Sequence, residues 1–83
     1  MIKAWINDDR EHCAVFDINE SYNLAIFSRT KFRIWFDNRE SEELTYSSKY
    51  EDDLNEFWEK FKERVKYHHG FDISDEFKPK WVK

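Results

Sequence analysis

Leu24–Phe36 reads LAIFSRTKFRIWF, and its alternation decides the fold. Leu24, Ile26, Phe32, Ile34 and Phe36 all fall on even positions. A period of two over this length is a strand signal, because successive side chains of an extended chain point to opposite faces. Ser28–Lys31 is then either a tight hairpin or the middle of one long strand. Upstream, IKAWI (Ile2–Ile6) also alternates, NDDRE makes a turn, HCAVFDI (His12–Ile18) extends again, and NES turns once more. Downstream, FDNRES breaks the pattern and ELTYS (Glu43–Ser47) offers a short extra strand. The reading is an antiparallel meander of three to four strands.

Even positions place Ile2, Ala4, Ile6, Ala14, Phe16, Ile18, Leu24, Ile26, Phe32, Ile34 and Phe36 on one face. Trp5, Cys13, Val15, Ala25, Phe27 and Trp35 then occupy the other.

The next segment changes period. Leu54, Phe57, Trp58, Phe61, Val65 and His68 recur at spacings of three and four, one face of an amphipathic helix. Ser48 and Glu51 have capping-box spacing, Asp52 and Asp53 suit the positive end of the helix dipole, and Lys66, His68 and His69 suit its negative end. Gly70 can take the left-handed stop. The fold class is α+β in a single domain: a small antiparallel sheet over 1–47, one long helix over 48–70 and an ordered tail over 71–83. One helix covers one sheet face. The second face, with Trp35 at its centre, requires the tail (Phe71, Ile73, Phe77, Trp81), a second copy or a partner.

Composition sets limits on this design. At 83 residues the chain is near the size where one core only just stabilises a fold, and an aromatic content of 19% supplies the missing buried area. A net charge of -4 disfavours a general binder of nucleic acid or anionic membranes. A lone cysteine, Cys13, forms no internal disulfide and fits a reducing compartment. With no membrane-length apolar run and no signal-peptide pattern, the sequence predicts a soluble, cytoplasmic protein. Its richness in Asn, Lys, Glu, Ile and Tyr suits an AT-rich genome of phage or bacterial type.

Few residues suggest chemistry. The single glycine excludes a glycine-rich phosphate cradle. His12, Cys13, His68 and His69 lack metal-finger spacing, and no local motif makes Cys13 a nucleophile. Glu42 and Glu43 have no apolar pocket to raise a carboxyl pKa. The expectation is a non-enzyme with no metal and no cofactor.

Charge is more telling. Asp37–Glu59 holds nine acids against two bases, so this segment alone balances to -7 where the chain totals -4. Asp37, Glu40, Glu42, Glu43, Tyr46, Tyr50, Asp52 and Glu56 form an acidic, tyrosine-bearing block that suits a protein partner with a basic surface. The expected function is stoichiometric binding, most simply an immunity or phage anti-defence inhibitor occupying the basic surface of a nuclease or nucleic-acid-binding complex. A second reading uses Trp5, Phe27, Arg29, Lys31, Arg33 and Trp35 as a basic, aromatic strand face for single-stranded nucleic acid. A third is a structural homodimer with its sheets face to face.

Overall fold

The computed structural model describes residues 1–37, 39–46 and 53–82. Five strands form one antiparallel sheet: β1 (Ile2–Ile6), β2 (Cys13–Asp17), β3 (Asn23–Phe27), β4 (Lys31–Trp35) and β5 (Ser41–Thr45). Their order in the sheet is their order in the chain, so the α+β meander is confirmed. The count is five rather than three to four. SRTK is a true hairpin turn, with Ser28 donating from its backbone N–H and its hydroxyl to the Lys31 carbonyl at 2.9 and 2.7 Å. The fifth strand, SEELT, contains a single large apolar residue, Leu44, because it is an edge strand whose Glu42 is held by a charge on the helix. Hydrophobic alternation is therefore weak there.

The other turns form where polar side chains replace ladder bonds. The Asn7 side-chain oxygen accepts from the N–H groups of Glu11 and His12 at 2.7 and 2.9 Å, and the Asp17 carboxylate accepts from Asn19 N–H at 3.0 Å.

The two faces differ from the even–odd expectation. Ala4 pairs with Val15, and Ala25 pairs with Ile34. Cross-strand partners share a face, so each of these hairpins joins even residues of one strand to odd residues of the next. Cys13, Val15, Ala25 and Phe27 therefore lie on the inner face with Ile2, Ala4, Phe32 and Ile34. Ala14, Phe16, Leu24 and Ile26 turn outward with Trp5 and Trp35. A bulge between Val15 and Phe16 leaves Leu24 without a register partner.

Helix α1 (Leu54–His69) packs on the inner face through Phe57, Trp58, Phe61 and Val65. It begins later than the sequence reading places it. Asp53 is the N-cap, its carboxylate accepting from Glu56 N–H at 3.1 Å; Ser48, Glu51 and Asp52 lie outside the described residues. Gly70 ends the helix at φ 68°, as expected from its place in the sequence.

The tail covers the inner face beside the helix, not the outer one. Trp81 stacks on Phe27, and Ile73 and Val82 join the same core. Both tryptophan N–H groups in this core are satisfied: Trp58 donates to the Asp75 carboxylate and Trp81 to the Glu11 carbonyl, each at 2.9 Å. Among the described residues, no helix is long and apolar enough to cross a membrane.

Candidate protein-binding face

The outer face of the sheet carries Trp5 from β1, Phe16 from β2, Leu24 and Ile26 from β3, and Arg33 and Trp35 from β4. Among the described residues, none of the core side chains packs against it. Trp5 is half exposed at 50%, and Tyr22 and Phe36 at the rim are 57% and 40% exposed. Large aromatic side chains this exposed on one side of a small sheet mark an interaction surface.

Ile26 and Trp35 form a ridge between two hollows. The larger, about 640 Å³, is lined by Tyr22, Asn23, Leu24, Ile26, Trp35, Phe36, Asp37 and His69. The smaller, about 220 Å³, is lined by Ile26, Ser28, Lys31, Arg33, Trp35 and Glu43. The end of the helix fixes this region from below. His69 Nε2 lies 2.7 Å from the Trp35 carbonyl, which can only accept, so Nε2 carries the proton. The His68 ring stacks on Phe36 with centroids 4.3 Å apart.

The charges on this face are internally matched. Arg33 sits 5.4 Å above the Trp35 ring, and Glu43 lies 3.4 Å from Lys31 and 3.8 Å from Arg33. Arg33 Nε also donates to the Ser41 hydroxyl at 3.1 Å. Of the basic, aromatic set, Lys31, Arg33, Trp35 and Trp5 do share a face. Phe27 does not; it is the centre of the core. Arg29 lies in the β3–β4 turn with its guanidinium 5.9 Å from the Trp81 ring, among residues of the tail. With Glu43 between the two remaining cations, phosphate pairing loses much of its charge.

The acidic block divides. Glu43 points outward, whereas Glu42 turns toward the helix and makes a bidentate pair with Arg64, both contacts 2.6 Å. The Arg64 guanidinium holds the Glu42 carboxyl below its ordinary range, an effect stronger than its partial burial. Tyr46 packs edge-on against Phe57 at 5.3 Å and belongs to the core margin. Glu56 is exposed on the first turn of α1, Glu40 is exposed before β5, and Asp37 lines the larger hollow. Tyr50 and Asp52 lie outside the described residues.

The remaining reactive side chains are dispersed. Cys13 is fully enclosed, and burial pushes its thiol up to about 12, so it is protonated at neutral pH and a poor nucleophile. Among the described residues, no group of three His, Cys, Asp or Glu side chains is placed to hold a metal ion.

Sequence reasoning missed Phe16, Leu24, Ile26 and the rim residue Tyr22 as parts of this surface. The signal lay in the hairpins, which switch even for odd, rather than in the alternation within each strand. No family model matches the chain, and neither a curated protein nor a solved structure shows significant similarity to it.

Proposed function

We propose that this chain is a non-catalytic protein-binding module that meets its partner with the open face of its sheet and acts stoichiometrically, by occupying the partner's surface. The observation that carries this reading is the outer sheet face, where Trp5 is half exposed and the partly buried pair Ile26 and Trp35 separates two hollows. Tryptophan, tyrosine and arginine dominate the centres of protein interfaces, where large rigid side chains bury much area at little entropic cost.

The partner's chemistry follows from the surroundings. An apolar anchor fits the hollow between Tyr22 and Trp35, and a basic rim suits Asp37, Glu40 and the net charge of -4. Inhibition of a nuclease, or of another complex that handles nucleic acid, is the form of binding we favour, because such partners present basic surfaces.

The test is capture of the tagged protein's partner from its native host, with and without nuclease, followed by titration of the recovered protein. Trp35→Ala should weaken binding by about 2 kcal/mol, roughly 30-fold, as interface tryptophans do. Glu40→Lys should chiefly slow association at low salt. Nucleic acid recovered alone, or equal affinity for Trp5→Ala, Trp35→Ala and the wild type, overturns the proposal.

A further inference from the structure

The free edge of β1 is built to pair with itself. We propose that two copies of the chain join β1 to β1 antiparallel, about a two-fold axis at Ala4, to make one continuous sheet.

Among the described residues, strand β1 ends the sheet, with β2 as its one neighbour. Two backbone bonds bracket their ladder: Asn7 N–H to His12 O at 3.1 Å and Ile18 N–H to Met1 O at 3.0 Å. Antiparallel ladders alternate, so Met1, Lys3, Trp5 and Asn7 turn their backbone groups toward β2. Ile2, Ala4 and Ile6 therefore direct theirs outward along the open edge. The tail's short turn at Asp75–Phe77 packs beside β1, but among the described residues no backbone hydrogen bond joins the two; the tail's backbone bond at this end, Lys80 N–H to Arg10 O at 2.8 Å, goes to the turn after β1.

The side chains are self-complementary about Ala4. Ile2 falls opposite the partner's Ile6 on the inner side of the sheet, and Ala4 opposite the partner's Ala4. On the outer side Lys3 falls opposite the partner's Trp5, twice by symmetry. This is the non-hydrogen-bonded kind of pair, whose side chains approach most closely, and an ammonium over an indole face is attractive. In this arrangement the partner's Lys3 covers part of the Trp5 ring, which is half exposed in the single chain, and leaves the rest of the outer face open. No like charges fall directly opposite each other, the two Lys3 side chains being diagonal neighbours. About six backbone hydrogen bonds form across three hydrogen-bonded pairs.

The opposite edge cannot do this. On β5 the bracketing bonds are Phe36 N–H to Glu40 O and Tyr46 N–H to Thr30 O, which leave Ser41, Glu43 and Thr45 facing outward. Self-pairing there sets Glu43 against its own copy, and like charges directly opposite are destabilising. The chain guards one edge with a carboxylate and leaves the other open.

Sedimentation equilibrium of the full chain over a range of concentrations should show a monomer–dimer equilibrium. Ala4→Pro removes the outward N–H at an edge position, where proline is tolerated, and should weaken dimerisation at least about tenfold while the circular dichroism is retained. Independently of how that variant folds, Lys3→Cys/Trp5→Cys should oxidise to a dimer linked between position 3 of one copy and position 5 of the other. A monomer at every concentration overturns the proposal. So does a dimer that survives Ala4→Pro, or one whose links join position 3 to 3 and 5 to 5.

Discussion

Trp81 stacks on Phe27 with ring centroids 5.4 Å apart and planes 5° from parallel. One residue belongs to a central strand and the other to the end of the described chain, so the core is closed only when the tail arrives. Phe27 also meets Phe32, Phe57, Trp58 and Phe61, which makes it the common neighbour of sheet, helix and tail. Trp81→Ala opens a cavity beside Phe27 and frees the Glu11 carbonyl; it should cost about 3 kcal/mol. Chemical denaturation checks this, and a midpoint equal to that of the wild type would place the tail outside the core.

The two ends of α1 should respond separately. Asp53→Ala removes the carboxylate that accepts from Glu56 N–H, a loss of about 1 kcal/mol. A Cβ on Gly70 meets nothing within 4 Å, so Gly70→Ala tests the left-handed backbone alone and should also cost about 1 kcal/mol. Gly70→Asn should cost less, since asparagine tolerates that conformation. Equal midpoints for all three variants would contradict the helix boundaries.

Stability should fall on the acid side. Arg64 holds the Glu42 carboxyl down, and Lys62, followed by the Trp58 N–H, does the same for Asp75. A depressed carboxyl contributes stability that is fully present above its unfolded pKa and is lost as pH falls through the folded one. The loss therefore sets in below about pH 4, near the ordinary carboxylate range. Glu42→Gln should flatten that part of the pH–stability curve and lower stability at pH 7 by about 1 kcal/mol, modest because the pair is partly exposed. An acid limb of unchanged slope would remove Glu42 from the account.

Tryptophan fluorescence separates the two faces. Trp58 and Trp81 are buried, Trp35 is partly buried and Trp5 is half exposed, so in dilute solution, where single chains prevail, Trp5 should contribute most to quenching by acrylamide or iodide, with Trp35 second. Trp5→Phe should remove most of the quenchable signal and shift stability by no more than about 0.5 kcal/mol, as surface changes usually do. Strong quenching that persists when Trp35→Phe is added would mean that the tail does not hold Trp81 in the core.

Much of the architecture was legible because it follows from local rules. Alternation in Leu24–Phe36, the three–four spacing from Leu54 to Val65 and the glycine at position 70 each specify an element without reference to the rest. The faces were not legible in the same way. Whether Phe27 points in or out depends on how the Ser28–Lys31 turn registers Phe27 against Phe32, which is a property of two strands and a loop together. The cap was not legible either: Ser48 with Glu51 has capping-box spacing, whereas the N-cap is Asp53, directly before Leu54. Glu42 and Glu43 look alike in sequence, yet one meets Arg64 from the helix and the other meets Lys31 and Arg33 across the outer face. The open surface was partly legible through Trp5 and Trp35, while Phe16, Leu24 and Ile26 became visible only with the register.

Cys13 gives the molecule a built-in clock. Its thiol is enclosed in the core shared by sheet, helix and tail, and a reagent can reach it only when that core opens. Alkylation by an excess of reagent then proceeds at the pace of that opening, with no introduced label and no competing thiol in the chain. A partner bound to the outer face never touches this sulfur, yet by holding the strands together it lengthens the interval between exposures.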